Sequence, residues 1–137
     1  MRHTATIFFL AVVALMVLLS AGVAVAASSP IIFGTEKGEQ IKGTRHSEEI
    51  RGLGGADEIT DGFGTDIVYG GKGKDNLIGY GGDTSVDGFK GGAGDDTIQS
   101  RDVPAVKDRV ECGPGIDHVY ADKADVVSSD CERVRVY

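Results

Sequence analysis

The chain has 137 residues, enough for one modest domain without a separate catalytic domain beside it. Its 21 glycines stand against 3 prolines and no tryptophan, a composition that excludes a helical bundle or a large aromatic core. Acidic residues outnumber lysines and arginines by 21 to 14, and the net charge of −7 opposes binding to nucleic acid or an anionic membrane and favours cations as partners.

The first 27 residues have the order of features of a secretory signal peptide. Arg2 precedes an apolar run over residues 7–19, and small residues lead up to Ala26 and Ala27. This order predicts cleavage after Ala26 or Ala27 and a secreted protein that then has no membrane span. Residues 21–27 extend the apolar run toward the roughly 20 residues that cross a bilayer, so a retained anchor is the alternative.

A nine-residue repeat follows a lead-in of residues 28–33. Apolar residues recur at every ninth position, and an acid stands two positions before each of them except the last, which has Thr84. The apolar positions are Ile41, Ile50, Ile59, Val68, Leu77 and Val86, and the acids are Glu39, Glu48, Asp57, Asp66 and Asp75. A spacing kept over six units identifies an internal repeat.

The repeat becomes irregular after Val86. Residues 88–90 shift the spacing by three positions, which predicts a bulged loop, and a complete unit resumes at residues 91–99. Residues 100–107 fit no unit and are predicted to form an excursion at one edge or a subdomain boundary. The acid-x-hydrophobe step then returns at Asp108/Val110, Asp117/Val119, Asp125/Val127 and Glu132/Val134. Residues 100–137 therefore predict an irregular C-terminal continuation of the same architecture.

The nine-residue period predicts an all-β solenoid. Neither a 3.6-residue nor a two-residue apolar period is present, so amphipathic helices and ordinary antiparallel strands fit poorly. Each unit predicts a glycine-rich turn of six residues and a strand of three, with two units per coil. Alternate hydrophobes then line two parallel sheets: Ile41, Ile59, Leu77 and Ile98 in one, and Ile50, Val68, Val86 and Val110 in the other.

Such a solenoid has a thin core. Burying one hydrophobe yields about 1.5–3 kcal/mol, whereas ordering each residue costs about 1–2 kcal/mol of backbone entropy. Stacking also brings together acids two units apart, with Asp57 over Glu39, Asp75 over Asp57 and Asp96 over Asp75, where bare carboxylates repel. Calcium relieves both problems, because it binds carboxylates and loop carbonyls together and couples its binding to folding.

Two segments carry a complete nonapeptide motif. Residues 70–78 and 91–99 match Gly-Gly-x-Gly-x-Asp-x-hydrophobe-x throughout, and residues 52–60 and 61–69 depart from it at one position each. This motif resembles the haemolysin-type (RTX) calcium-binding repeats, and the resemblance covers residues 34–99. It implies a right-handed parallel β-roll with short strands and glycine-rich turns, in which Ca2+ lies between loops of successive coils.

The resemblance also implies a ligand set. The implied carboxylates are Asp57, Asp66, Asp75 and Asp96, with Asp117 in the same position of a later loop, and the implied carbonyls lie near Gly55, Gly64, Gly71, Gly73, Gly92 and Gly94. Units 34–42 and 43–51 have Glu for Asp and lack the fourth glycine, so we expect capping coils with weak or no metal. In the sixth unit Thr84 stands at the position of the acidic ligand, and the neighbouring Asp83 is the candidate to supply a carboxylate in its place. Counting the matched loops predicts two to five ions.

The two cysteines, Cys112 and Cys131, both follow the predicted signal peptide. Outside the cytoplasm a disulfide is favoured over two free thiols. Each cysteine precedes a predicted strand, and these strands lie in adjacent rungs, where backbones approach within disulfide distance. We therefore predict one bridge that ties down the irregular C-terminal end.

No catalytic constellation accompanies the repeat. His46 and His118 have no partner at zinc-ligand spacing, and no nucleophile motif is present, so a non-enzymatic protein is predicted. One alternative is a calcium-rigidified extracellular adhesion or interaction module that uses residues 100–137 to contact a protein or cell-surface polysaccharide. Another is a polysaccharide-acting enzyme, since the resembling repeat accompanies such enzymes.

Overall fold

The computed structural model of the protein describes residues 28–137. The predicted signal peptide, residues 1–27, lies outside these residues. Among the residues described, no helix is long and apolar enough to cross a membrane.

The described chain folds into two parallel sheets that alternate along the sequence. Its strands are β1 (Ile31–Phe33), β2 (Gln40–Lys42), β3 (Glu49–Gly54), β4 (Glu58–Thr60), β5 (Ile67–Lys72), β6 (Asn76–Ile78), β7 (Gly88–Ala93), β8 (Thr97–Gln99), β9 (Arg109–Glu111), β10 (His118–Ala121), β11 (Val126–Val127) and β12 (Arg133–Val136). The odd-numbered strands form the first sheet and the even-numbered strands the second, each in chain order. Two strands and two loops therefore make one coil, and the predicted all-β parallel solenoid of the β-roll type is confirmed.

The core is a double column of single buried side chains, one from each of the strands β2 to β10. In the second sheet Ile59, Leu77, Ile98 and Val119 stand in register, and in the first sheet Ile50, Val68, Phe89 and Val110 do so. All eight are essentially inaccessible to solvent. A strand of three residues points only its middle side chain inward, so the nine-residue spacing becomes a continuous apolar column. In the first sheet β3, β5 and β7 have six residues instead of the predicted three, but their other buried positions are glycines such as Gly52, Gly70 and Gly91.

The prediction that Val86 belongs to this column is wrong. Val68 pairs with Phe89, and Ile67 pairs with Gly88. Val86 is 48% exposed and Phe89 only 1%. The three extra residues therefore lie in the loop before β7, not in residues 88–90, because this register buries the larger aromatic side chain.

The C-terminal segment continues both sheets with less regular loops. Residues 100–107 contain no strand, and β9 to β12 then extend the two sheets at the predicted acid-x-hydrophobe steps. Cys112 and Cys131 form a disulfide, as predicted, with Cα atoms 5.2 Å apart. The bridge joins the residue that follows β9 in the first sheet to the loop before β12 in the second.

Candidate metal sites

Two loop stacks flank the sheets, and every loop ends on an acid that immediately precedes a strand. The first loop stack leads into second-sheet strands and comprises residues 34–39, 52–57, 70–75, 91–96, 112–117 and 128–132. Residues 52–54, 70–72 and 91–93 of these loops also pair as the ends of β3, β5 and β7. The second loop stack leads into first-sheet strands and comprises residues 43–48, 61–66, 79–87, 100–108 and 121–125. Because the coils are parallel, equivalent loop positions lie directly above one another.

The terminal acids of each stack form a hydrogen-bonded ladder. One carboxylate oxygen accepts the backbone N–H of the ladder acid one coil earlier, at 2.7–2.9 Å in the first stack and 2.6–3.0 Å in the second. The first ladder is Glu39, Asp57, Asp75, Asp96, Asp117 and Glu132, and the second is Glu48, Asp66, Asp87, Asp108 and Asp125. The predicted stacking of Asp75 on Asp57 and of Asp96 on Asp75 is therefore present.

The second oxygen of many of these carboxylates has no partner. Among the residues described, the buried side-chain oxygens without a hydrogen bond are the Oδ2 atoms of Asp57, Asp61, Asp66, Asp75, Asp96 and Asp117. Five of these six residues are the carboxylate ligands that the sequence predicts. Ion pairs in the described chain join only Arg51 to Glu49 and Lys90 to Glu111, so no basic side chain neutralises the six carboxylates. Buried unpaired oxygens of this kind are costly in a folded protein unless a cation binds them.

Burial makes these carboxylates hard to ionise. Desolvation, with repulsion from Asp75 and Asp117, raises the pKa of Asp96 from 3.8 to about 7, although the N–H of Asp75 opposes the shift. Desolvation likewise raises the pKa of Asp66 to about 7, with repulsion from Asp87 and Glu48. Without a counter-ion, the ladders therefore carry poorly compensated negative charge near neutral pH.

The glycines of the first loop stack bring the loop backbones into direct contact. A Cβ atom on Gly94 would stand 1.8 Å from the carbonyl oxygen of Gly73, and one on Gly73 would stand 1.7 Å from that of Gly55. Positive φ angles of 103–136° occur at each glycine predicted to supply a carbonyl, namely Gly55, Gly64, Gly71, Gly73, Gly92 and Gly94. The carbonyl oxygens of Gly55 and Gly73 therefore face the glycine of the next loop, where a side chain would not fit.

The two N-terminal glutamates differ from the aspartates. Glu39 accepts hydrogen bonds from the N–H and Oγ1 of Thr35, at 2.8 and 2.9 Å, and Glu48 accepts equivalent bonds from Thr44. Both carboxylates fold back onto their own loops and satisfy their oxygens there. Neither glutamate therefore leaves an oxygen without a partner, and the assignment of the first coils as caps with weak or no metal stays a prediction.

The second loop stack contains a cluster that the sequence analysis missed. Asp61, Asp66 and Asp87 each present a carboxylate oxygen within 4.8 Å of the others, and all three are buried. Asp87 was missed because Val86 keeps the nine-residue spacing, although Asp87 and Phe89 also form an acid-x-hydrophobe step. Asp61 was missed because it occupies the loop position that glycine holds in residues 52–57 and 70–75.

The structure also corrects the assignment of the sixth unit. The ladder position expected at Thr84 belongs to Asp87, which donates its N–H to Asp108 and accepts one from Asp66. The proposed substitute, Asp83, accepts hydrogen bonds from Gly64, Thr84 and Ser85. Although burial opposes its ionisation, these bonds outweigh the effect and lower the pKa of Asp83. Its oxygens are therefore already satisfied by the protein.

Comparison with known families agrees with the loop geometry. The model of the RTX calcium-binding nonapeptide repeat, in four copies, matches residues 42–77 and 51–86. The matched residues, 42–86, include parts of both loop stacks. The chain matches no curated protein and no solved structure.

Proposed function

We propose that this chain is a secreted, non-enzymatic calcium-binding protein whose β-roll folds when Ca2+ binds between successive glycine and aspartate loops. The observation that carries the proposal is the row of buried Oδ2 atoms without partners at Asp57, Asp75, Asp96 and Asp117. A hard divalent cation binds such oxygens together with backbone carbonyls, whereas the protein itself offers these oxygens no hydrogen-bond donor.

The residues of the first loop stack fit calcium. The Oδ2 of Asp75 would lie 2.5 Å from a Cβ on Gly70, and that of Asp96 2.6 Å from a Cβ on Gly91, so glycine keeps the space beside each oxygen open. Asp57, Asp75, Asp96 and Asp117 would hold the ions with carbonyls near Gly71, Gly73, Gly92 and Gly94. A bound ion supplies the positive charge that cancels repulsion along the ladder.

Secretion and the absence of catalysis have separate support. A disulfide between Cys112 and Cys131 persists in an oxidising compartment, which agrees with the sequence features of residues 1–27. The ladders account for the regular spacing of the aspartates without an acid-base role. Their burial also keeps them from a substrate.

Circular dichroism of the purified protein during a calcium titration tests the proposal. We expect a weakly structured spectrum in chelator and a cooperative gain of β-structure as Ca2+ is added, at roughly millimolar extracellular concentrations. A fully formed sheet in chelator, unchanged by calcium, would refute it.

A second candidate function is an extracellular adhesion or interaction module, rigidified by calcium. A surface depression of about 400 Å³ on the second-sheet side is lined by Lys74, Asp95, Thr97, Ile116, His118, Tyr120 and Arg133. Most of these residues come from residues 100–137. Mixed polar, charged and aromatic groups of this kind suit a polysaccharide or a protein loop.

Substitution within the depression separates the two functions. Replacing Tyr120 and Arg133 together by alanine should abolish retention on cells or matrix while calcium uptake stays normal, if the module function holds. Unchanged retention would leave calcium binding as the proposed function by itself. The matched control is Arg51→Ala, on the opposite sheet.

A further inference from the structure

We propose that Asp61, Asp66 and Asp87 form a separate, all-carboxylate metal site in the second loop stack, one that prefers trivalent over divalent hard cations. The inference rests on the proposed function for the general class of ion. It goes beyond that function by adding Asp61 and Asp87 to the predicted ligand Asp66 and by assigning the site a charge selectivity.

The three carboxylates converge from two successive coils. Asp61 begins and Asp66 ends one loop, and Asp87 ends the loop directly above it. Their oxygens lie within 4.8 Å of one another, close enough for one ion to contact all three. Asp61 and Asp66 are 0% and 1% exposed.

Two of the three carboxylates each keep one buried oxygen that the protein does not use. Oδ1 of Asp61 accepts the N–H groups of Gly62 and Tyr80, at 2.7 and 2.8 Å, and Oδ1 of Asp66 accepts the N–H of Glu48 at 2.6 Å. Oδ2 of Asp61 and Oδ2 of Asp66 are buried and have no partner. Asp61 and Asp66 are therefore each held in place by one oxygen and leave the other free for a cation.

Asp61 makes this site different from those of the first loop stack. In the loops that start at Gly52, Gly70 and Gly91, a side chain at the first position would collide with the loop's own terminal aspartate. In the loop of residues 61–66 that position carries a carboxylate instead of a hydrogen. The space between two successive loops of the first stack is bounded by two ladder carboxylates, whereas this cluster contains three carboxylates.

Charge then sets the selectivity. Neither ion pair in the described chain involves Asp61, Asp66 or Asp87, so no salt-bridge partner neutralises the three carboxylates that would face the ion. A trivalent ion of calcium-like size neutralises all three, whereas Ca2+ leaves one negative charge uncompensated.

Native mass spectrometry and calorimetry with Tb3+ and Ca2+ test the site. The unaltered protein should bind one Tb3+ tightly and keep it in excess Ca2+. Asp61→Asn retains the Oδ1 acceptor but removes a charge and a ligand, so it should weaken that Tb3+ by about tenfold or more. The control, Glu58→Gln, removes one exposed charge and should behave like the unaltered protein.

The outcomes separate this site from the proposed function. Loss of the tight Tb3+ in Asp61→Asn, with calcium-induced folding intact, supports the site. Equal Tb3+ affinity and ion number in Asp61→Asn and Glu58→Gln overturn it, even if calcium still folds the protein. A tight, Asp61-dependent Tb3+ in a protein that calcium does not fold supports the site and refutes the proposed function.

A second variant, Asp61→Gly, tests the site independently if Asp61→Asn does not fold. It restores the residue that begins the neighbouring loops, so it should fold like them and still lose the tight Tb3+. A folded Asp61→Gly protein that keeps the tight ion would also overturn the site.

Discussion

Each ladder aspartate has two oxygens with different roles. At Asp75, Oδ1 accepts the N–H of Asp57 at 2.9 Å and fixes the side chain, while Oδ2 is buried without a partner. Burial raises the pKa of Asp75, because the N–H bond from Asp57 only partly offsets desolvation. The same residue thus stabilises the stack through one atom and destabilises the metal-free fold through the other.

This division predicts opposite effects of Asp75→Asn with and without calcium. Asparagine keeps Oδ1 but removes the buried charge, so metal-free stability should stay the same or rise. Calcium binding should weaken by about ten- to a hundredfold, because a ligand charge is lost. Thermal unfolding in chelator and in calcium checks both signs.

Asp95→Asn is the matched control for that substitution. Asp95 is exposed, and its Oδ1 accepts the N–H of Ile116, a bond that asparagine retains. We expect little change in either condition. A loss of metal-free stability in Asp75→Asn, absent from the control, would contradict the assigned roles.

At the scale of the element, each unit was predictable where its period is regular. Two complete motifs and the acid-x-hydrophobe step were sufficient to place the strands from β2 to β6 and both sheets. The same signals misplaced the inward residue of β7, because Val86 and Phe89 are both hydrophobic and either could occupy that position by sequence alone. Only the three-dimensional packing distinguishes them, since the larger side chain fills the column between Val68 and Val110.

The register of β7 predicts a large difference between two alanine substitutions. Phe89→Ala should cost about 3–5 kcal/mol of unfolding free energy, because it leaves a cavity in the column. Val86→Ala should change it by less than about 0.5 kcal/mol, because Val86 lies at the surface. Urea unfolding in saturating calcium measures both, and equal costs would contradict the register.

Loop stacking predicts a similar contrast between two glycines. Gly73 has a φ of 126°, and a Cβ there would overlap the carbonyl oxygen of Gly55. Gly73→Ala should therefore destabilise the protein by about 2 kcal/mol or more. Gly88→Ala is the control, because the nearest atom to its added Cβ is 3.9 Å away. Comparable melting temperatures for the two variants would argue against direct backbone contact between loops.

At the scale of the whole fold, acidic side chains are buried at least as often as apolar ones. Among the described residues, twelve buried side chains are Asp or Glu, against eleven buried apolar ones. The thin core is predictable from the sequence, because each unit has one hydrophobe. The role of Asp61 is not, because a first-position aspartate acquires significance only when a loop of the next coil is placed above it.

This balance predicts an unusual pH dependence. Burial raises the pKa of Asp61 and Asp66 from 3.8 to about 7 and that of Asp87 to about 6, so the folded state holds protons that the unfolded state releases. Metal-free stability should therefore fall as pH rises between about 4 and 7. In saturating calcium it should rise over the same range, because ions bind the ionised carboxylates.

Melting temperatures at about pH 5 and about pH 8, in chelator and in calcium, test this reversal. Metal-free stability that increases toward pH 8 would show that the buried carboxylates are compensated within the protein.

Hydrogen exchange of the ladder amides tests most directly whether metal holds the coils together. The N–H groups of Asp57, Asp75 and Asp96 each donate to the next ladder carboxylate, so they report on coil stacking. Resolved by NMR, they should exchange at least about a hundredfold more slowly in calcium than in chelator. Equal protection in both conditions would show that the roll stands without metal and would contradict the account.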